Sequence, residues 1–267
     1  MNTANLDPLL LVERLDGILR LTLNRPGARN ALSSALMLAL TDALEHAATD
    51  HAVRAIVIAA HGPVFSAGHD LREMTEARAD RDHGKAGFAS LFTQCSKLMQ
   101  TIVSHPRPII AEVQGLATAA GCQLVASCDL AVAASTAKFA TPGVNIGLFC
   151  STPMVALSRN VPRKQAMEML LTGEVVTAEE AVRIGLINRA VAPEKLRGET
   201  MALAGKIVAK PYATVRTGKH AFYQQLEMPL EAAYAYAAQV MTENMLHAEA
   251  NEGICAFLEK REPKWPA

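Results

Sequence analysis

Two glycine-containing segments carry the residue types best suited to chemistry. The first is FSAGHDL, Phe65 to Leu71; the second is QGLATAAGCQL, Gln114 to Leu124, which runs on to Cys128, Asp129 and Leu130. Each follows an apolar run, RAIVIA from Arg54 to Ala59 and PIIAEV from Pro108 to Val113, so each reads as a loop at the end of a strand. Small residues at such a place leave backbone N–H groups free to point into a cavity. Two loops of this kind side by side supply a pair of amide donors to one oxygen that gains negative charge, an oxyanion hole.

Few side chains nearby have acid–base chemistry. His69 is read first as a loop residue whose backbone matters more than its ring, with the imidazole as the candidate proton carrier. Asp70 opens a helix after a glycine turn, the place of an N-cap. Glu73 and Glu76 fall in a charged stretch reaching to Lys85, read as a flap or exposed helix with a solvated face. Glu112, ending an apolar strand, reads as a buried structural carboxylate, and Asp129 as an anchor for the next strand. Asn145, Ser151 and Thr152 are candidates to line a pocket, and none of the three is a base.

The elements that must position these loops are legible in part. Apolar runs Leu9–Val12 and Ile18–Leu23 flank Asp16-Gly17, a hairpin signal. Ser33 and Ser34 open a helix to about Ala48, with Leu36, Leu40 and Leu44 on one face. A helix through Leu91, Cys95, Leu98 and Ile102 breaks at His105-Pro106, and another begins near Ala120. Strands are expected at 129–133 and 187–191, and a strand then a turn at 139–144. Helices are expected at 164–171, from the capping-box sequence Thr177–Glu180 to Gly185, and after Pro193. Helical patterning continues through 231–248 and about 250–260. The chain therefore predicts an α/β fold of strand–strand–helix units over 1–200, followed by a helical region over 201–267. The helix bearing Ala232, Ala233, Ala235, Ala237, Ala238, Met241 and Met245 is apolar around much of its surface and needs cover on more than one side.

Composition narrows the class. The 26 Lys and Arg balance the 26 Asp and Glu and form no basic block, so nucleic acid is not an implied partner. No run approaches the roughly 18 uninterrupted apolar residues of a membrane span. Met1 to Pro8 lacks the basic start and apolar run of a secretory signal and is no amphipathic transit peptide. The five cysteines, Cys95, Cys122, Cys128, Cys150 and Cys255, are odd in number and form no C-x-x-C pair. They predict reduced thiols in a cytoplasmic chain, without a disulfide framework or zinc ribbon. Cys150, close to the expected site, reads as a small buried hydrophobe.

Taken in order, a set of motifs resembles the enoyl-CoA hydratase/isomerase (crotonase) family over about residues 8–262. They are LTLNRP at Leu21–Pro26 with Asn30-Ala31-Leu32, AGHDL at Ala67–Leu71, PIIA at Pro108–Ala111, and GCQL at Gly121–Leu124 with Cys128-Asp129. Phe139, LTG at Leu171–Gly173, and Ala181 with Gly185-Leu186-Ile187 complete the set. The resemblance implies a crotonase-type spiral of β-β-α units with a C-terminal helical trimerisation region, assembled as a homotrimer or a dimer of trimers. It implies acyl-CoA thioesters as ligands, with coenzyme A arriving as part of the substrate and no permanently bound cofactor or metal. The oxyanion donors map onto the backbone of His69 and Ala120. The CoA contacts map onto Ala67, Gly68, His69, Asp70 and Leu71, with Lys260 reaching the CoA phosphate.

The departures from the pattern are specific. The two glutamates that serve family hydratases map onto Gln123 and Gly143. An amide holds water by hydrogen bonds but takes no proton, and a positioned acid or base is worth about 10²–10⁴-fold. The resemblance therefore implies acyl-CoA binding with impaired hydration. Loss of CO₂ from a malonyl-type thioester, double-bond isomerisation with His69 as shuttle, weak hydration through Gln123, and binding without catalysis all stay open at this stage.

Overall fold

In this computed structural model the structure describes residues 7–265, so the reading of Met1–Pro8 falls mostly outside it. Strand β1, Leu10–Leu15, and strand β2, Ile18–Leu23, pair antiparallel across Asp16-Gly17. Both turn residues have positive φ, 45° and 82°, as the tight hairpin turn of the predicted kind requires. Helix α1, Ser34–Thr49, starts at Ser33, whose hydroxyl accepts the Leu36 N–H. Its face of Leu36, Leu40 and Leu44 is buried as expected.

Three β-β-α units follow. Strands β3, Ala55–Ala60, and β4, Val64–Ser66, lead to helices α2, Leu71–Ala77, and α3, Lys85–Ser104. Strands β5, Ile109–Val113, and β6, Leu116–Thr118, lead to α4, Ala120–Ser127. Strands β7, Leu130–Ala134, and β8, Lys138–Ala140, lead through a 3-10 turn at Pro142–Ile146 to α5, Ser151–Asn160, and α6, Arg163–Thr172. Strand β9, Val176–Thr177, helix α7, Ala178–Arg183, strand β10, Arg189–Val191, and helix α8, Leu196–Val208, finish the layered part. The tail is α9, Tyr212–Gln225, α10, Leu230–Met245, and α11, Ala248–Leu258.

The first strand of each unit enters a six-stranded sheet ordered β1-β2-β3-β5-β7-β10. The second enters a four-stranded sheet ordered β4-β6-β8-β9. Neighbours β3, β5 and β7 are parallel, and so are β4, β6 and β8. Repeating one unit therefore advances both sheets by one strand, which is the spiral. The large sheet is covered on both faces, with α8 lying on β3, β5 and β7. This is why RAIVIA and PIIAEV read as continuous apolar runs rather than alternating ones.

Helix α5 was not expected. Pro153 sits inside it, but in the first turn, where its missing N–H costs no intrahelical bond. The strands β4, β6, β8 and β9 have two or three residues each, too few to show a period.

Two buried ion pairs fasten the fold, one within the large sheet and one between that sheet and the tail. Arg20 binds Glu112 at 2.7 Å, so Glu112 is the structural carboxylate its position suggested. Asp129 accepts from the Ile109 N–H at 2.7 Å, Lys219 Nζ at 2.7 Å and the Tyr223 hydroxyl at 3.0 Å. Lys219 also donates to the carbonyls of Ile102 and Arg107. Burial pushes the Asp129 carboxyl up and the Lys219 ammonium down, and each partner opposes the other's shift. Asp129 thus anchors the preceding strand β5, not the next strand as expected of it, and also ties tail helix α9 to the core. Among the described residues no helix is long and apolar enough to cross a membrane.

Lys219→Met leaves Asp129 buried without its cation. The expected loss is about 3–5 kcal/mol of unfolding free energy, read from urea denaturation. The double variant Lys219→Met with Asp129→Asn loses less than the single one.

Candidate active site

Sheet pairing brings the two glycine loops together. Strand β4 runs parallel to β6, with Val64 opposite Leu116 and Ser66 opposite Ala117. The residues leaving the two strand ends, Ala67–Asp70 and Thr118–Ala120, must therefore emerge side by side. The approach is close: a Cβ on Gly68 would lie 2.9 Å from Ala119 Cβ and 3.2 Å from the Ala120 nitrogen, and a Cβ on Gly121 would lie 2.4 Å from the Ser66 carbonyl oxygen. Glycine is needed at 68 for a second reason, its φ of 87°. Among the described residues no hydrogen bond uses the N–H of His69 or of Ala120. Ala120 is the first residue of α4, where free N–H groups and the helix dipole favour negative charge. The preceding Ala119 has φ 50° and ψ −121°, a sparsely populated conformation held by its N–H bond to the Ala140 carbonyl at 2.9 Å.

The β2–α1 connection clamps the first loop from outside. Asn30, fully buried, donates to the carbonyls of His61 and Val64 and accepts from the Arg25 N–H. Arg29 O accepts the Ala67 N–H at 3.0 Å, and the Leu32 N–H donates to Gly68 O at 2.7 Å. Arg25 binds Asp70 at 3.0 Å while also donating to Ala31 O. Asp70 caps α2 by accepting the Arg72 N–H. Burial pushes the Asp70 carboxyl up, but the Arg25 guanidinium and the Arg72 N–H outweigh it and hold it below the usual range. Glu73, expected on a solvated face, instead accepts from the Ser34 N–H and hydroxyl and supports the start of α1. Its exposed-looking sequence context gave no sign of that partner.

The side chains that α3 and α4 bring toward His69, namely Phe92, Cys95 and Gln123, are uncharged. The His69 ring meets Phe92 of α3 edge to face, centroids 5.4 Å apart. Its Nε2 is buried without a hydrogen-bond partner. Desolvation pushes its pKa down to about 4, so the ring is uncharged at neutral pH. One turn along α3, the Cys95 thiol contacts Gln123 Oε1 at 3.9 Å. Burial pushes that thiol up to about 11. Gln123 is buried within α4.

Gly143 lies in the 3-10 turn after β8 and is also buried. A Cβ there would sit 2.5 Å from the Leu148 carbonyl oxygen and 2.9 Å from Cys150 Sγ. The space a side chain at 143 would enter is therefore occupied by the following loop. Cys150 is buried, as expected, and burial raises its thiol pKa despite the Gly143 N–H beside it. Asn145 and Ser151 are exposed. Leu71 is exposed at the start of α2. Lys260 follows α11 with φ 56°, and no described hydrogen bond or ion pair links it to the glycine loops. Among the described residues no group of three or more His, Cys, Asp or Glu is placed to hold a metal ion.

This geometry has known relatives. The family model described as enoyl-CoA hydratase/isomerase matches residues 13–267. The mouse protein named enoyl-CoA hydratase domain-containing protein 3, mitochondrial, is 51% identical over 250 residues, covering 94% of this chain and 82% of that protein. The crystal structure of an enoyl-CoA hydratase of Mycobacterium smegmatis superposes with a TM-score of 0.93 at 54% identity, covering 97% of this chain and 99% of that one. The crystal structure of human enoyl-CoA hydratase domain-containing protein 3 gives 0.92 at 48% identity, covering 97% and 100%. The chain belongs to the enoyl-CoA hydratase/isomerase family, has the crotonase fold, and acts in a family whose substrates are CoA thioesters. One expectation is corrected. The mouse relative and its human and rat counterparts are named mitochondrial, which points to mitochondria rather than the cytoplasm. Unpaired thiols speak only for a reducing compartment and do not say which one.

Gly68→Ala combines a left-handed backbone with a contact at 2.9 Å. It is expected to cost about 2 kcal/mol, lowering the melting temperature by roughly 4–8 °C. Gly27→Ala, where a Cβ meets nothing within 4 Å, serves as the control and shifts it by far less.

Proposed function

We propose that this protein binds acyl-CoA thioesters with the carbonyl oxygen between the N–H groups of His69 and Ala120, and that it is a poor hydratase. The observation that carries the reading is the pair of unengaged N–H groups at the paired ends of β4 and β6. The main chain of Ala67–Leu71 is proposed to face the CoA moiety, with Lys260 toward its phosphate. An enolate formed next to the thioester carbonyl is the anion this hole stabilises, and each donor is worth about 3–4 kcal/mol.

Hydration needs more than the hole. A water must lose a proton and a carbon must gain one. The two family glutamate positions hold Gln123, an amide engaged by Cys95, and Gly143, whose side-chain space is filled by Leu148 and Cys150. The tail supports assembly with further copies, read as a homotrimer or dimer of trimers. Helix α10 buries only Ala233 in one protomer and leaves Leu230, Tyr234, Met241 and Met245 half or more exposed. A helix apolar around its surface needs cover on a second side.

Calorimetry with acetyl-CoA is expected to show binding, and absence of heat at millimolar ligand sinks the reading. Crotonyl-CoA hydration is expected to fall well below the roughly 1–10³ s⁻¹ of ordinary enzymes; turnover in that range would show that another residue supplies the base. Gly143→Glu is not expected to restore hydration. Its Cβ meets the backbone of Leu148, so the variant loses stability, read as a lower melting temperature, rather than gaining turnover.

A further inference from the structure

We infer that the His69 imidazole selects the acyl group, by hydrogen-bonding a neutral oxo or hydroxyl oxygen carried on the acyl chain a few bonds from the thioester carbon. This deepens the acyl-CoA reading above and rests on it.

The ring leaves the same loop that carries one of the proposed donors. The N–H proposed to hold the thioester oxygen and the imidazole leave the same Cα, so the ring reaches no farther than a short acyl fragment. The loop beneath it is fixed by the Leu32–Gly68 hydrogen bond and the Arg25–Asp70 pair. The ring itself is seated on the Phe92 edge. Its Nε2 is buried without a partner among the described residues, while Nδ1, on this half-buried side chain, is not among the buried atoms and makes no described hydrogen bond. A ring nitrogen with no protein partner gains a bond when a ligand oxygen meets it. An unsubstituted alkyl or alkenyl chain offers no such atom.

The surroundings choose a neutral partner over a carboxylate. The ring's neighbour is Phe92, and the next turn of α3 leads to Cys95 and Gln123, all uncharged. The nearest ion pair on the loop, Arg25–Asp70, is already closed on itself. A carboxylate would enter with no cation to meet it. The uncharged state of the ring agrees with this.

The test compares calorimetric affinities for acetoacetyl-CoA, 3-hydroxybutyryl-CoA, malonyl-CoA and butyryl-CoA in the full chain. The oxo and hydroxy ligands are expected to bind about ten-fold more tightly than butyryl-CoA, and malonyl-CoA no more tightly. In His69→Phe the ratio falls to about one, and in His69→Gln, which keeps a hydrogen-bonding group, part of it returns. With ¹⁵N-labelled histidine, the resonance missing from His69→Phe moves on adding acetoacetyl-CoA to the unmutated protein and stays still with butyryl-CoA. Equal affinities for acetoacetyl-CoA and butyryl-CoA in the unmutated protein overturn the inference. So does a preference that survives His69→Phe, or one for malonyl-CoA. If none of the four thioesters binds, the acyl-CoA reading itself fails, a result distinct from binding without discrimination.

Discussion

The parallel pairing of β4 with β6 is the constraint on which the site depends. Each strand is three residues long and contributes little to stability alone. Their register nevertheless decides where two main-chain N–H groups point. Main-chain donors need no particular side chain, so a hole built from them survives wide sequence change provided the backbones still meet. What must be kept is room for the meeting, and that requirement falls on Gly68 and Gly121, where any Cβ would strike the opposite loop.

Holding that meeting point takes conformations most residues avoid. Arg29, Asn30 and Ala119 all have positive φ without being glycine. Such strain persists only where neighbours over-determine it. For Arg29 and Asn30 the neighbours are the carbonyls of His61 and Val64 and the N–H of Ala67, all on or beside β4. For Ala119 the neighbour is Ala140 of β8. Both loops are thus braced by the strand beyond them, and the small sheet works as one unit. The Asp129–Lys219 pair plays the corresponding part at the other end of β5, joining the tail to the layered core.

Much of this was legible in the chain. Long apolar strands, the Asp16-Gly17 hairpin, the Ser33 cap and the start of α4 at Ala120 follow from local patterns that the structure repeats. Of the small sheet only β8 was foreseen, as the strand before the turn at 139–144; β4, β6 and β9 were missed because two or three residues carry no period. Glu73 was misread because its partner, Ser34, is 39 residues away in sequence. Helix α5 was hidden behind a proline that a first turn tolerates. The glycine loops stood out because small residues after apolar runs are a local signal. Their closeness to each other was not local, and came only with the resemblance or with the sheet register.

The magnitudes separate what this site keeps from what it gives up. A donor in an oxyanion hole is worth about 3–4 kcal/mol. An acid or base worth 10²–10⁴-fold corresponds to about 3–5 kcal/mol. On the function proposed above, Gln123 and Gly143 forfeit at least as much as the two amides supply for any reaction that must move protons on both faces of a double bond. They matter much less for a ligand that only needs its carbonyl polarised. The Leu148 carbonyl and the Cys150 thiol stand where a side chain at Gly143 would begin. On the inference above, the unpartnered His69 ring is what separates an oxygen-bearing acyl chain from a plain one.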